Sequence, residues 1–89
     1  MKIKLELFGA SRDFSNEDHI EFQIKEKTEI KDFRKEIIYY LEKNFKGNEG
    51  FKKIVETSAF CSENNNIISD NYIITKDQKI GIIPPIGGG

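Results

Sequence analysis

TEIKDFRKEIIYYLEKNF, residues 28–45, reads with a single period from end to end. Ile30, Phe33, Ile37, Leu41 and Phe45 recur every three or four residues, the spacing that lines one face of an α-helix. Thr28 is suited to the N-cap, and Glu29 and Asp32 favour the positive end of the helix dipole. The spacing predicts a helix from about Glu29 to Asn44 that stops near Gly47, because Gly47 and Gly50 bracket a loop. Lys31, Arg34, Lys35, Glu36 and Glu42 are expected to form its solvated face.

Upstream of this helix the period changes to two. Ile3, Leu5 and Leu7 alternate with Lys2, Lys4 and Glu6, and Ile20, Phe22 and Ile24 repeat the pattern within residues 19–25. Both runs read as half-buried strands that pair antiparallel across a loop spanning residues 9–18. Phe8 interrupts the polar face of the first run. Downstream, Phe51 to Val55 is expected to hold a turn or strand start, residues 57–61 a short strand, Asn64-Asn65-Asn66 a turn, and Ile67-Ile68 a second arm. Residues 79–83, Lys-Ile-Gly-Ile-Ile, read as a buried final strand that Pro84-Pro85 ends, since proline has no N–H for the ladder. Strand, strand, helix and several short strands give an α+β domain, a mixed sheet packed on one main helix. The domain is expected over residues 1–83, with 84–89 an extended glycine-rich tail.

Composition narrows the function. Eighty-nine residues make one small domain with one core, and 37% hydrophobic residues, seven Phe among them, suffice to build it. Fourteen basic against fifteen acidic side chains leave a formal charge of −1, so there is no basic excess to neutralise a run of phosphates, and nucleic acid is an unexpected partner. Apolar runs of two or three residues are far too short to cross a bilayer, and the N-terminus lacks the pattern of a signal peptide, so the expectation is no membrane and a cytoplasmic location. Cys61 and His19, one of each, cannot make an internal disulfide or a metal site, and no metal is expected. Cys61 reads as a packed inert thiol and His19 as an exposed strand residue without a catalytic partner.

The end of the chain carries the sharpest signal. Ile80-Gly81-Ile82-Ile83-Pro84-Pro85-Ile86-Gly87-Gly88-Gly89 places three residues without Cβ atoms beyond a stiff stalk, a form able to thread a narrow channel and present a carboxylate inside another protein. An apolar strand, Pro-Pro, one aliphatic residue and Gly-Gly resemble the end of the small sulfur-carrier subunit of molybdopterin synthase, one of the ubiquitin-like β-grasp carriers. Residues 7–13, Leu-Phe-Gly-Ala-Ser-Arg-Asp, look like the Phe-Ala-x-x-Arg-Glu pattern of that family, and residues 28–41 match the position of its helix. The chain departs from the pattern at Asp77-Gln78-Lys79, where the family commonly has Gly-Asp-Glu, and at Gly87, where it commonly has Ser or Thr. Thiamine-pathway carriers share the fold and the Gly-Gly end but typically lack Pro-Pro.

The resemblance implies a ubiquitin-like β-grasp fold and a cycle in which Gly89 is adenylated with ATP and then converted to a thiocarboxylate. That group would donate sulfur to a pterin precursor in molybdenum cofactor biosynthesis. The implied partners are an E1-like adenylating enzyme, which uses the ATP, a sulfur donor system and the large subunit of molybdopterin synthase. No cofactor would be bound stably by this chain, which has no phosphate loop and no nucleophile–base pair, and it would not be catalytic alone. Gly87 and Gly88 would be the threading tail. Phe8 and Ile83 are expected to form an apolar docking patch beside it, with Arg12 at its rim and Pro84, Pro85 and Ile86 continuing the contact. The alternatives are a thiamine-type carrier, a ubiquitin-like modifier conjugated to lysine, and a non-covalent interaction domain.

Overall fold

Alternation in the first run and the apolar run before Pro84 place two long strands at the centre of the sheet. In the computed structural model, which describes residues 1–46 and 48–85, β1 (Lys2–Leu7) and β7 (Gln78–Ile83) run parallel, with Leu5 opposite Ile80 and Leu7 opposite Ile82. β2 (His19–Gln23) pairs antiparallel with the outer side of β1, Leu5 facing Ile20. On the other side of β7 lie β4 (Ala59–Cys61) and β5 (Ile67–Ile68), both antiparallel to their neighbours, so the order is β2-β1-β7-β4-β5. A two-stranded ribbon of β3 (Thr28–Glu29) and β6 (Ile73–Ile74) stands apart.

One face of the sheet carries Ile3, Leu5, Leu7, Ile20, Phe22, Phe60, Ile80 and Ile82, all buried. Against it packs α1 (Ile30–Phe45), through Ile30, Phe33, Ile37 and Leu41. The Phe33 ring meets Phe22 edge-on at 5.4 Å and Phe60 at 6.2 Å, so three aromatic rings tie the helix to both wings of the sheet. Phe45, the last position of the apolar stripe, lies past the sheet. It remains 38% exposed and packs on Phe51 at 5.0 Å instead.

Thr28 does not cap α1. It belongs to β3, and its hydroxyl donates to the Lys25 carbonyl at 2.6 Å. The first N–H groups of the helix go to backbone carbonyls, Ile30 to Tyr72 at 2.9 Å and Lys31 to Asp70 at 3.0 Å. A distant loop thus satisfies the donors that a side-chain cap would otherwise serve. At the other end Lys46, with φ of 47°, turns the chain in the left-handed region.

Residues 49–57 form a helix, not a turn or strand start. α2 (Glu49–Thr57) is capped by Asn48, whose Oδ1 accepts the Phe51 N–H at 3.1 Å, and it buries Val55. Arg34 is not solvated. Its Nη1 donates to the carbonyls of Val55 (2.6 Å) and Ser58 (2.8 Å) and its Nη2 to Asp70 Oδ1 (2.6 Å), with the guanidinium 4.7 Å from the centre of the Phe60 ring. One fork from α1 therefore binds the C-terminal carbonyls of α2 and the loop whose backbone caps α1. Residues 9–14, read as loop, form a 3₁₀ segment (Gly9–Phe14) that buries Ser11 and Phe14. The Phe14 ring lies 5.0 Å from Phe51 of α2.

Candidate functional site

Parallel pairing of the first and last long strands brings their C-terminal ends to the same edge of the molecule. Leu7 and Ile82 are opposite one another and point into the core, so Phe8 and Ile83, one residue further on, both face the side of the sheet away from α1. Phe8 is 44% exposed and Ile83 36%. Pairing of Ile83 with Ala59, Gly81 with Cys61, and Cys61 with Ile67 continues that face across β4 and β5. A strip of Phe8, Ile83, Gly81, Ala59, Cys61 and Ile67 results, in which Cys61 is buried and Ile67 is 67% exposed.

The backbone around Phe8 is held in place locally. Its carbonyl accepts from the Ser11 hydroxyl at 2.6 Å and from the Ser11 N–H at 3.2 Å, and Ser11 is itself fully buried. Gly9 has φ of 57°, a left-handed conformation that glycine adopts without the cost other residues incur. A Cβ at Gly9 would stand 3.8 Å from Pro84 Cδ, so the turn after β1 and the start of the Pro-Pro stalk touch. Pro84 is buried there and Pro85 exposed. With Ala10, Gly50, Lys53, Ile54 and Thr57 the two prolines line a groove of about 150 Å³ between the 3₁₀ segment and α2.

Arg12 is exposed on the 3₁₀ segment that follows Phe8. The remaining tail residues of the sequence reading, Ile86, Gly87, Gly88 and Gly89, lie outside the described residues. His19 is half-buried at the start of β2, beside Glu6 across the pair. Its Nδ1 shares a hydrogen bond of 3.0 Å with Asp18 Oδ1, and that contact holds the exposed Asp18 carboxyl below the usual carboxylate range. Lys79 and Glu6 form a 3.7 Å ion pair on the same face. Among the described residues, no group of three His, Cys, Asp or Glu is placed to hold a metal ion, and no helix is long and apolar enough to cross a membrane.

Sequence reasoning missed Gly81, Cys61, Ala59, Ile67 and Ser11 as members of this neighbourhood. A glycine inside an apolar strand run is a usable signal of close approach, and Gly81 carried it. Ile67 became visible only through the pairing register of β4 and β5.

The sequence matches no family model and no curated protein. Solved structures do resemble it. A protein from Pyrococcus furiosus, provisionally named molybdopterin converting factor subunit 1, is 24% identical. The match covers 96% of this chain and 98% of that one, with a TM-score of 0.70. SAMP1 from Haloferax volcanii is 12% identical, with both chains covered completely and a TM-score of 0.68. Its mixed sheet, with parallel first and last strands packed on one main helix, places the chain in the ubiquitin-like β-grasp fold that both these structures share.

Proposed function

We propose that the protein is a sulfur carrier of the molybdopterin type, with Gly89 as the reacting residue. The observation that carries this reading is the placement of an exposed aromatic and an exposed aliphatic side chain, Phe8 and Ile83, at the foot of a Pro-Pro stalk leading to Ile86-Gly87-Gly88-Gly89. Fold likeness over nearly the whole chain to the Pyrococcus protein supports it.

The chemistry follows from the carboxylate. A free carboxylate is a poor acyl electrophile, so its oxygen first attacks the α-phosphorus of ATP, releasing pyrophosphate and leaving an acyl adenylate. Hydrosulfide supplied by a donor system then attacks the acyl carbon, the bond to AMP breaks, and loss of a proton leaves the thiocarboxylate. ATP contacts and acid–base groups belong to the E1-like adenylating enzyme, and the pterin precursor to the large synthase subunit. This chain contributes the docking face, the stalk and the reacting end. Phe8 and Ile83 anchor the partner, with Arg12 at the rim, while Gly87 and Gly88 pass where a Cβ would collide.

The test is intact mass spectrometry after co-expression with an adenylating enzyme and its sulfur source. Exchange of one oxygen for sulfur on the last peptide is the expected result. Lysine-linked conjugates without that exchange would replace this reading with that of a protein modifier, and an unaltered terminus would leave an interaction domain.

A further inference from the structure

A Cβ built on Gly81 would stand 2.9 Å from Phe8 Cε2, 3.5 Å from Phe8 Cδ2 and 2.8 Å from Cys61 Sγ. Unstrained carbon atoms sit about 3.5–4.0 Å apart, so the space above Gly81 is already filled by its two neighbours. The Phe8 ring therefore leans along the outer face of β7 over a residue that has no side chain, with its other side open to solvent.

We propose that Gly81 is a positioning residue for docking: its missing side chain seats the Phe8 ring against the strand, so that the aromatic anchor is preformed before the adenylating enzyme arrives. This rests on the carrier reading of the preceding section. The backbone of Phe8 is already pinned by Ser11 and by the left-handed turn at Gly9, which leaves the side-chain torsions as its main freedom. Cys61 Sγ, 2.8 Å from the same point, must turn aside as well, but Cys61 is buried with its backbone paired to Gly81 and has less room to move than the exposed ring. Any side chain at position 81 thus displaces the ring, which is held on one side only. A displaced ring must be reordered on binding, and ordering one side chain at an interface costs about 0.5–1.5 kcal/mol. The occupant this geometry fits is a shallow apolar socket on the adenylating enzyme that receives a flat aromatic ring, next to the channel that takes the stalk.

Two measurements test the proposal. In the NMR spectrum of the wild-type chain, an aromatic ring over Gly81 shifts its Hα resonances upfield, and Phe8→Leu should abolish that shift. Kinetically, Gly81→Ala should raise the KM for the carrier in the adenylation reaction about tenfold, with kcat unchanged. In the Phe8→Leu background, Gly81→Ala should raise KM no further, since the ring it displaces is gone and only the contact with Cys61 Sγ persists. Ordinary Gly81 Hα shifts in the wild type would overturn the seat. Unchanged KM for Gly81→Ala, or additive effects in the double variant, would overturn the positioning role. Should Gly81→Ala not fold, combining it with Cys61→Ala, which removes the sulfur beside the new Cβ, serves in the same comparison. If the wild-type chain is never adenylated, the carrier reading falls, while the Hα shifts still decide whether the ring is seated.

Discussion

Phe8 stands out because strand parity and local bonding agree on where it goes. Its neighbour Leu7 is buried, its carbonyl is doubly bonded by Ser11, and its ring lies on the bare backbone of Gly81 with 44% of the residue in solvent. An exposed aromatic group held this firmly loses little entropy on binding. Phe8→Asp should therefore leave the fold intact and weaken association with the adenylating enzyme by about 2 kcal/mol or more, the loss expected for an interface anchor. Calorimetric titration of the variant against the enzyme checks this, and unchanged affinity would remove Phe8 from the interface. That Phe8 breaks the polar face of its run was legible in the sequence. That its ring finds Gly81 was not, because the two residues are 73 positions apart and meet only when β1 and β7 pair.

Between elements, side chains and loops perform work that local sequence suggests is done at home. α1 begins without a side-chain cap because the carbonyls of Tyr72 and Asp70 arrive from beyond α2. Arg34, one charge in an apparently solvated series, is the link that fixes those elements to each other. Hydrogen bonds to charged groups contribute about 1.5–3 kcal/mol each, and a mostly buried fork shares its effect among three acceptors. We expect Arg34→Ala to destabilise the protein by about 2–4 kcal/mol in chemical denaturation. Lys in its place should recover little, because an ammonium cannot reproduce the planar fork. α2 is different, since it carries its own cap. Asn48→Ala should cost about 1 kcal/mol, seen as a lower denaturation midpoint and faster amide exchange in residues 49–52. Asn48 was a readable signal. So was the spacing of Phe51, Ile54 and Val55 at three and four residues, and Gly50 in the first turn is what masks the helix, since glycine is a poor helix former.

At the scale of the molecule, parallel pairing of the terminal strands delivers Pro84-Pro85 to the same edge as the exposed Phe8 and Ile83. The proposed function gives the scaffold and the reacting end separate roles. On the carrier reading Gly88 and Gly89 serve only the reacting end, so deleting them should leave the thermal midpoint unchanged while abolishing the oxygen-for-sulfur exchange seen by intact mass. Loss of stability on deletion would contradict that separation.

The sequence by itself determined the periods, two for β1 and β2 and three to four for α1, the apolar run of β7, and an end to pairing at Pro84-Pro85. From these the α+β class and the buried positions followed, because alternation and helical spacing are set by local backbone geometry. Only the tertiary structure decided which strands became neighbours, which carbonyls met α1, where Arg34 reached and what lay above Gly81. Those outcomes depend on contacts between residues far apart in the chain, and such contacts form only once apolar burial has brought the segments together.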